Sequence, residues 1–201
     1  MLNNAMKMML TVAGISSLSA IAPISAAQAS DDLHAKFTEE SRKTAQEFMQ
    51  QLAGTLKQQL DSNGTESAIK VCKEIAPALA LQYSIDGKTV KRVSLKPRNE
   101  SLGTPGPEET AMLVEFDEKQ RSGADAKSLE MTKVYEDAEG SWLHYMKAIP
   151  TQQVCLQCHG KPDNIADNVR ALLAIEYPAD RATGYSPGEI RGAVSIRRAI
   201  K

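Results

Sequence analysis

From Leu33 onward the apolar positions follow two periods, and the switch between them sets the fold class. Leu33, Phe37, Phe48, Met49, Leu52, Leu56 and Leu60 fall mostly three or four residues apart, with Glu, Lys, Gln and Arg between them. That spacing makes one stripe of a helix and predicts helix from about Asp32 to Leu60. Asp61-Ser62-Asn63-Gly64 ends it, and Thr65 is placed to cap a second helix. There Ala68, Cys72, Ile75 and Ala76 share a face, which turns Cys72 inward. A short helical stretch after Pro77 runs to Tyr83. Asp86-Gly87 marks a turn, and the alternating Thr89 to Leu95 predicts a strand. Lys96 to Pro107, with three prolines and two glycines, reads as a loop. Pro107-Glu108-Glu109 then opens a helix, proline and acids in its first turn, that stops before Gly123. Met131 to Tyr135 and Ser141 to Ala148 predict two strands about a turn. Asn164 to Glu176 predicts a helix carrying Ile165, Val169, Leu172 and Leu173, and Gly192 to Ile200 a last strand. Helices first, then strands on short turns, is an α+β pattern with an antiparallel sheet. No internal repeat, low-complexity tract or second-domain boundary interrupts it.

The first residues break this pattern. Lys7 is the only charge before Asp31, Met8 to Ala22 is apolar or small, and Ala27-Gln28-Ala29 is a small-x-small sequence. This predicts a secretory signal peptide over residues 1–29, cleaved after Ala29. The apolar stretch is short of the roughly 20 residues that span a bilayer. Residues 30–201 are then one domain in an oxidising, periplasmic compartment, with no membrane span. The formal charge of the whole chain is −1. No basic patch points to nucleic acid or an anionic membrane. Aromatic residues are only 4% of the chain, so aliphatic side chains, or a bound apolar group, must fill the core.

Against this background Cys155-Leu156-Gln157-Cys158-His159 carries the most chemistry. Cys-x-x-Cys-His is the attachment sequence of a c-type haem: two thiols add to the vinyl groups and the histidine supplies an axial nitrogen. Three other readings stand beside it. A thioredoxin-like dithiol would open a helix after a strand, whereas Pro150 leads in and Gly160-Lys161-Pro162 follows, a poor setting for a helix start. Structural zinc needs four ligands, and only Cys72 and two further histidines remain. A plain Cys155–Cys158 disulfide is the last. One covalent haem, with Cys155 and Cys158 as attachment points and His159 as proximal ligand, is the reading adopted.

The second axial position is open to Cys72, to His144 or His34, to a methionine, or to water. His34 lies near the mature N-terminus. Met112, Met131 and Met146 serve equally as core filler. Cys72 is a third cysteine in an exported chain, and from its residues alone an inert buried thiol and an iron ligand stand level. Arg98 is the first choice for a propionate contact, ahead of Arg92, Lys91 and Lys96, while Arg191, Arg197 and Arg198 read as surface charges.

Several segments taken together resemble one family: Ala68-Ile69-Lys70-Val71-Cys72, Ala76-Pro77, Arg92 to Asn99, Cys155 to Gly160, Tyr177-Pro178, Gly184-Tyr185 and Gly188 to Ser195. They resemble exported c-type haem proteins with a PAS-like fold, found alone or as sensing modules of membrane signalling proteins. The likeness spans about residues 40 to 198. It implies a PAS-like antiparallel sheet flanked by helices, and a cysteine opposite the motif histidine at the position of Cys72. It implies redox or gas sensing with a redox or signalling protein partner, and a small gas as ligand of ferrous iron. A plain electron carrier is the alternative. No Ser-His-Asp series or carboxylate pair argues for a peroxidase or reductase.

Overall fold

Four strands make one antiparallel sheet in the order β1-β4-β3-β2: Lys88–Val93 (β1), Glu130–Asp137 (β2), Gly140–Pro150 (β3) and Ile190–Ile200 (β4). The structure is a computed structural model and describes residues 26–200. The expected leader lies almost wholly outside them. Among the described residues no helix is long and apolar enough to cross a membrane.

Helix α1 (Ala26–Lys70) contains the two helices expected from the sequence, joined across a kink at Gly64. There φ is 75°, in the left-handed region where glycine carries no Cβ penalty. The chain continues through a wider π turn, Val71–Ile75, into α2 (Ala76–Tyr83). Asp86 and Gly87, both at positive φ, turn it into β1. A short helix, α3 (Glu100–Gly103), forms inside the expected loop because the Asn99 side chain accepts the Leu102 N–H at 3.1 Å. Helix α4 (Pro107–Arg121) starts on Gly106, whose N–H is accepted by Glu109 Oε2 at 2.9 Å. The last two helices are α5 (Leu156–His159) and α6 (Asp167–Glu176).

The sheet is covered on both faces, which fixes where each odd and even residue points. On one face Phe37 and Phe48 of α1 and Leu79 of α2 pack against Val90, Leu143, Tyr145, Val194 and Ile196. On the other, Met112, Leu113 and Phe116 of α4 pack against Val93, Met146, Ala148 and Ala193. Each fully buried large side chain contributes about 2–3 kcal/mol relative to exposure. Met112 and Met146 are core here, and Met131 packs on the same cluster. A third cluster joins the end of α1 to α6: Ile69 with Ile165, Val169, Leu173 and Tyr177, and Cys158 and Leu172 against them.

The β3–β4 ladder slips once, between Ile149 and Pro150, which pair with Gly192 and Ile190 and leave Arg191 as the extra residue of a bulge. Gly192 sits at φ 156°, where a Cβ would lie 2.3 Å from the Val93 carbonyl oxygen. Both strands would have to part. Gly192→Ala is therefore expected to cost about 2–4 kcal/mol, read as a melting temperature lower by roughly 5–15 °C. Unchanged thermal unfolding by circular dichroism would contradict this packing.

Candidate functional site

The Cys-x-x-Cys-His segment leaves β3 through the buried Thr151, whose N–H donates to the Glu189 carbonyl at 2.8 Å. A 3-10 turn over Gln153–Cys155 then runs straight into α5. The sequence reading expected no helical start between Pro150 and Pro162. The structure corrects this: both prolines fall outside the turn and cost it no hydrogen bond. One helical turn sets Cys155, Cys158 and His159 at i, i+3 and i+4, on a single face. Gly160 closes the turn, donating its N–H to the Leu156 carbonyl at 3.0 Å. A Cβ there would stand 2.6 Å from that oxygen, so the closure needs glycine.

His159 is held by the segment that follows α6. Its own carbonyl accepts from Tyr185 N–H at 3.0 Å, and the Gly160 carbonyl accepts from Gly184 N–H at 2.8 Å. Its Nδ1 lies 2.7 Å from the Ala182 carbonyl and 3.2 Å from Arg191 Nε. The carbonyl only accepts, so Nδ1 carries the proton and donates to it. Arg191 is then a close cation beside the ring rather than a donor to it. Nε2 is left with its lone pair, the atom a metal would take. Burial, and then the charges of Arg191, Arg98 and Arg92, hold the imidazolium pKa well below the usual histidine range, so the ring is neutral. Tyr185 packs edge-on at 6.4 Å, with Lys96 Nζ 4.2 Å over its ring.

Arg98 is buried, and its Nε and Nη2 are engaged by the protein. Nε pairs with Asp180 at 3.0 Å, and Nη2 donates to the carbonyls of Cys158 and, at 3.4 Å, of Ala182. Asp180 Oδ1 accepts the Ala182 N–H at 2.7 Å in turn. Arg98 thus ties the motif to the segment after α6 that orients His159. Burial pushes the Cys158 thiol pKa up, Arg98 opposes, and Cys72 and Cys155 add to the rise.

Cys72 reaches this place along one helix face. Thr65 Oγ1 donates to Gln157 Oε1 at 3.4 Å, Ile69 packs in the cluster with Cys158, and Cys72, a turn further, interacts electrostatically with Cys158 and Tyr177. Burial and then Cys72 push the Tyr177 hydroxyl up to about 12. Outside the stripe, Glu66 accepts from Asn168 at 3.1 Å and Lys73 pairs with Glu176. The π turn carries Cys72 and leaves Ile75 exposed, contrary to the shared face expected for the two. Single π turns recur at functional positions because they rotate one side chain out of the α register.

Among the described residues no His, Cys, Asp and Glu side chains gather in a group that could hold a metal ion by themselves. The motif thiols, His159 and Cys72 spread along two facing helical segments instead. That spread suits a flat prosthetic group held at its edge and over its centre.

His144 stands apart, on the α4 face of the sheet. Ser195 Oγ lies 2.6 Å from Glu109 Oε1 and must donate to it, so His144 Nε2, 2.8 Å away, donates to Ser195. Lys91 pairs with Glu109 at 2.9 Å. No motif residue joins this cluster, whereas the helix that carries Cys72 packs on the opposite face. His34 lies on the first turns of α1, equally remote. Burial pushes the His144 imidazolium down to about 4, with Glu109 opposing and Arg197 and Lys91 assisting. An unfolded chain binds that proton near pH 6.5. Between about pH 6.5 and 4 the unfolded state therefore holds a proton that the folded state lacks, and stability falls as pH falls. The loss should approach 2–3 kcal/mol, on the order given by the shift. Urea titrations from pH 7 to 4.5 should show it, with a flatter slope in His144→Gln; equal slopes would contradict it.

The sequence reading missed Arg191, Tyr185, Asp180 and the Ala182 carbonyl. Arg191, expected at the surface, is half-buried and donates to Ser94 Oγ at 2.9 Å and the Lys96 carbonyl at 3.2 Å. Arg197 lies 4.4 Å over the Trp142 ring and Arg198 pairs with Glu40 at 3.0 Å, so these two are also packed rather than merely solvated. The one available clue was Gly192, a bulge glycine beside Arg191.

A sequence model of the Tll0287-like family matches residues 23–198. No curated protein matches the sequence. Among solved structures, the cyanobacterial heme-protein Tll0287 superposes with a TM-score of 0.56 at 24% identity, over 83% of this chain and 93% of that one. The likeness bears out the α+β, PAS-like architecture, with its antiparallel sheet flanked by helices.

Proposed function

This chain belongs to the Tll0287-like family, and on that footing we propose that it is an exported, periplasmic c-type haem protein that senses redox state or a small gas and passes its state to a signalling partner. The observation that carries the reading is the His159 Nδ1 contact with the Ala182 carbonyl at 2.7 Å, which leaves Nε2 bare on the face that also bears both motif thiols. A solved protein of the same fold is a heme-protein by name. Bound here, a haem would supply a one-electron couple and an iron able to exchange one ligand.

Each residue then has a part. Cys155 and Cys158 hold the group through thioethers. His159 gives Nε2 while the Ala182 carbonyl fixes its tautomer and raises its basicity. Cys72 would be the second protein ligand of the iron, and as a thiolate it would favour the ferric state. Arg98 keeps the Cys158 carbonyl and Asp180 together, so the turn cannot drift from its histidine support.

The test is the mass and the spectrum of the full chain, made in a host that ligates haem c. The expected product begins at Ser30, exceeds the polypeptide mass by one haem and shows a Soret band that shifts when the reduced form meets carbon monoxide. A Soret band indifferent to carbon monoxide would favour the electron carrier. A bare polypeptide without a Soret band would end the haem reading.

A further inference from the structure

The site gathers more positive charge than its protein groups balance. Arg92, Arg98 and Arg191 all act on His159. Asp180 is matched by Arg98, and Glu176 by Lys73. Arg191 rests on neutral acceptors, Ser94 Oγ and the Lys96 carbonyl. The Arg92 side chain has no hydrogen bond or ion pair with any described residue. Yet it is only half-exposed, next to the last residue of the sheet's edge strand.

Its direction follows from register. Arg92 pairs with Val194 across the β1–β4 ladder, and paired residues of an antiparallel ladder share a face. Val194 is in the core under α1 and α2, so Arg92 points to the side from which Cys72 arrives. It also lies within electrostatic range of Tyr177, which packs in the cluster that holds Cys158. A guanidinium withdrawn from bulk water and left unpaired is costly, and the fork of an arginine matches a carboxylate bidentately. The sequence reading puts the propionate contact on Arg98, but Nε and Nη2 of Arg98 already serve Asp180, Cys158 and Ala182.

We propose that Arg92 is the residue that pairs with a propionate carboxylate of the bound haem, and that Arg98 serves as a brace of the motif turn. This rests on the haem reading above and adds to it the anchor of the acidic edge of the cofactor. Arg92 leaves the iron ligands untouched, so its effect is electrostatic and positional: removing the positive charge disfavours the reduced, less positive iron.

The experiment compares wild type, Arg92→Gln and Arg92→Lys, each checked for covalent haem by mass. Two quantities are read, the ferrous-to-ferric ratio at a fixed ambient potential and the propionate bending band in the resonance Raman spectrum. Arg92→Gln is expected to lower the ratio about tenfold, which is 59 mV for a one-electron couple, and to move the band. Arg92→Lys keeps the charge without the fork, so the ratio should stay within about twofold while the band still moves. A haem-loaded Arg92→Gln with wild-type ratio and band overturns the assignment alone. If the glutamine variant does not accumulate, an unmoved band in Arg92→Lys overturns it equally. Wild type without the added haem mass overturns the haem reading and this assignment together.

Discussion

The double variant Cys155→Ala/Cys158→Ala is expected to emerge from the same host with the bare polypeptide mass and no covalent chromophore. The two thiols are the only attachment atoms on the face that His159 shares, and neither is engaged in a disulfide. Stability should fall with the chromophore. Cys158 packs against the cluster of Ile69, Ile165, Val169, Leu173 and Tyr177, where α1 and α6 meet. A large apolar group anchored beside that cluster binds only the folded state and so stabilises it. For a chain of this size, losing a few kcal/mol lowers the melting temperature by roughly 10 °C. Retention of a covalent haem by the double variant would exclude the thioether assignment.

Cys72→Ala should keep its covalent haem and change everything that depends on the second axial atom. Thiolate sulfur stabilises ferric iron, so its removal raises the midpoint potential. A rise on the order of 100 mV is expected, a modest part of the roughly 0.8 V over which axial ligands move haem potentials. The ferric electron paramagnetic resonance spectrum should lose its low-spin thiolate signature. His144→Ala is the control, and its ferric spectrum should match wild type because that histidine belongs to the Glu109–Ser195 cluster on the other face of the sheet. Identical ferric spectra for wild type and Cys72→Ala would remove Cys72 from the iron. A change in His144→Ala alone would move the assignment to that residue, against the face on which the structure places it.

Much of this was legible in local pattern. The helix ending at Arg121, the two strands about the turn at 138–139, the break at Gly64 and the last strand all follow from period and punctuation. The motif itself is local, five consecutive residues whose chemistry needs no partner to be recognised. Arg191 was not legible. It reads as one arginine in a strand with others, and only the bulge opposite Ile149 and Pro150 turns it toward Ser94 and His159. Arg98 was legible as important, but its bracing contacts were not, because Asp180 and the Cys158 carbonyl are its neighbours through the fold and not through the sequence.

By itself the sequence determined the α+β class, most of the strands and longer helices, and the Cys-x-x-Cys-His motif, since each depends on residues within one or two turns of each other. The tertiary structure alone decided that Cys72, and not His144, faces that motif, that Ala182 selects the nitrogen His159 leaves bare, and that the Arg92 side chain has no partner among the described residues. Those choices depend on which face of a sheet or helix a residue occupies once distant segments have packed, and burial on both faces erases the polar alternation from which a face could have been read.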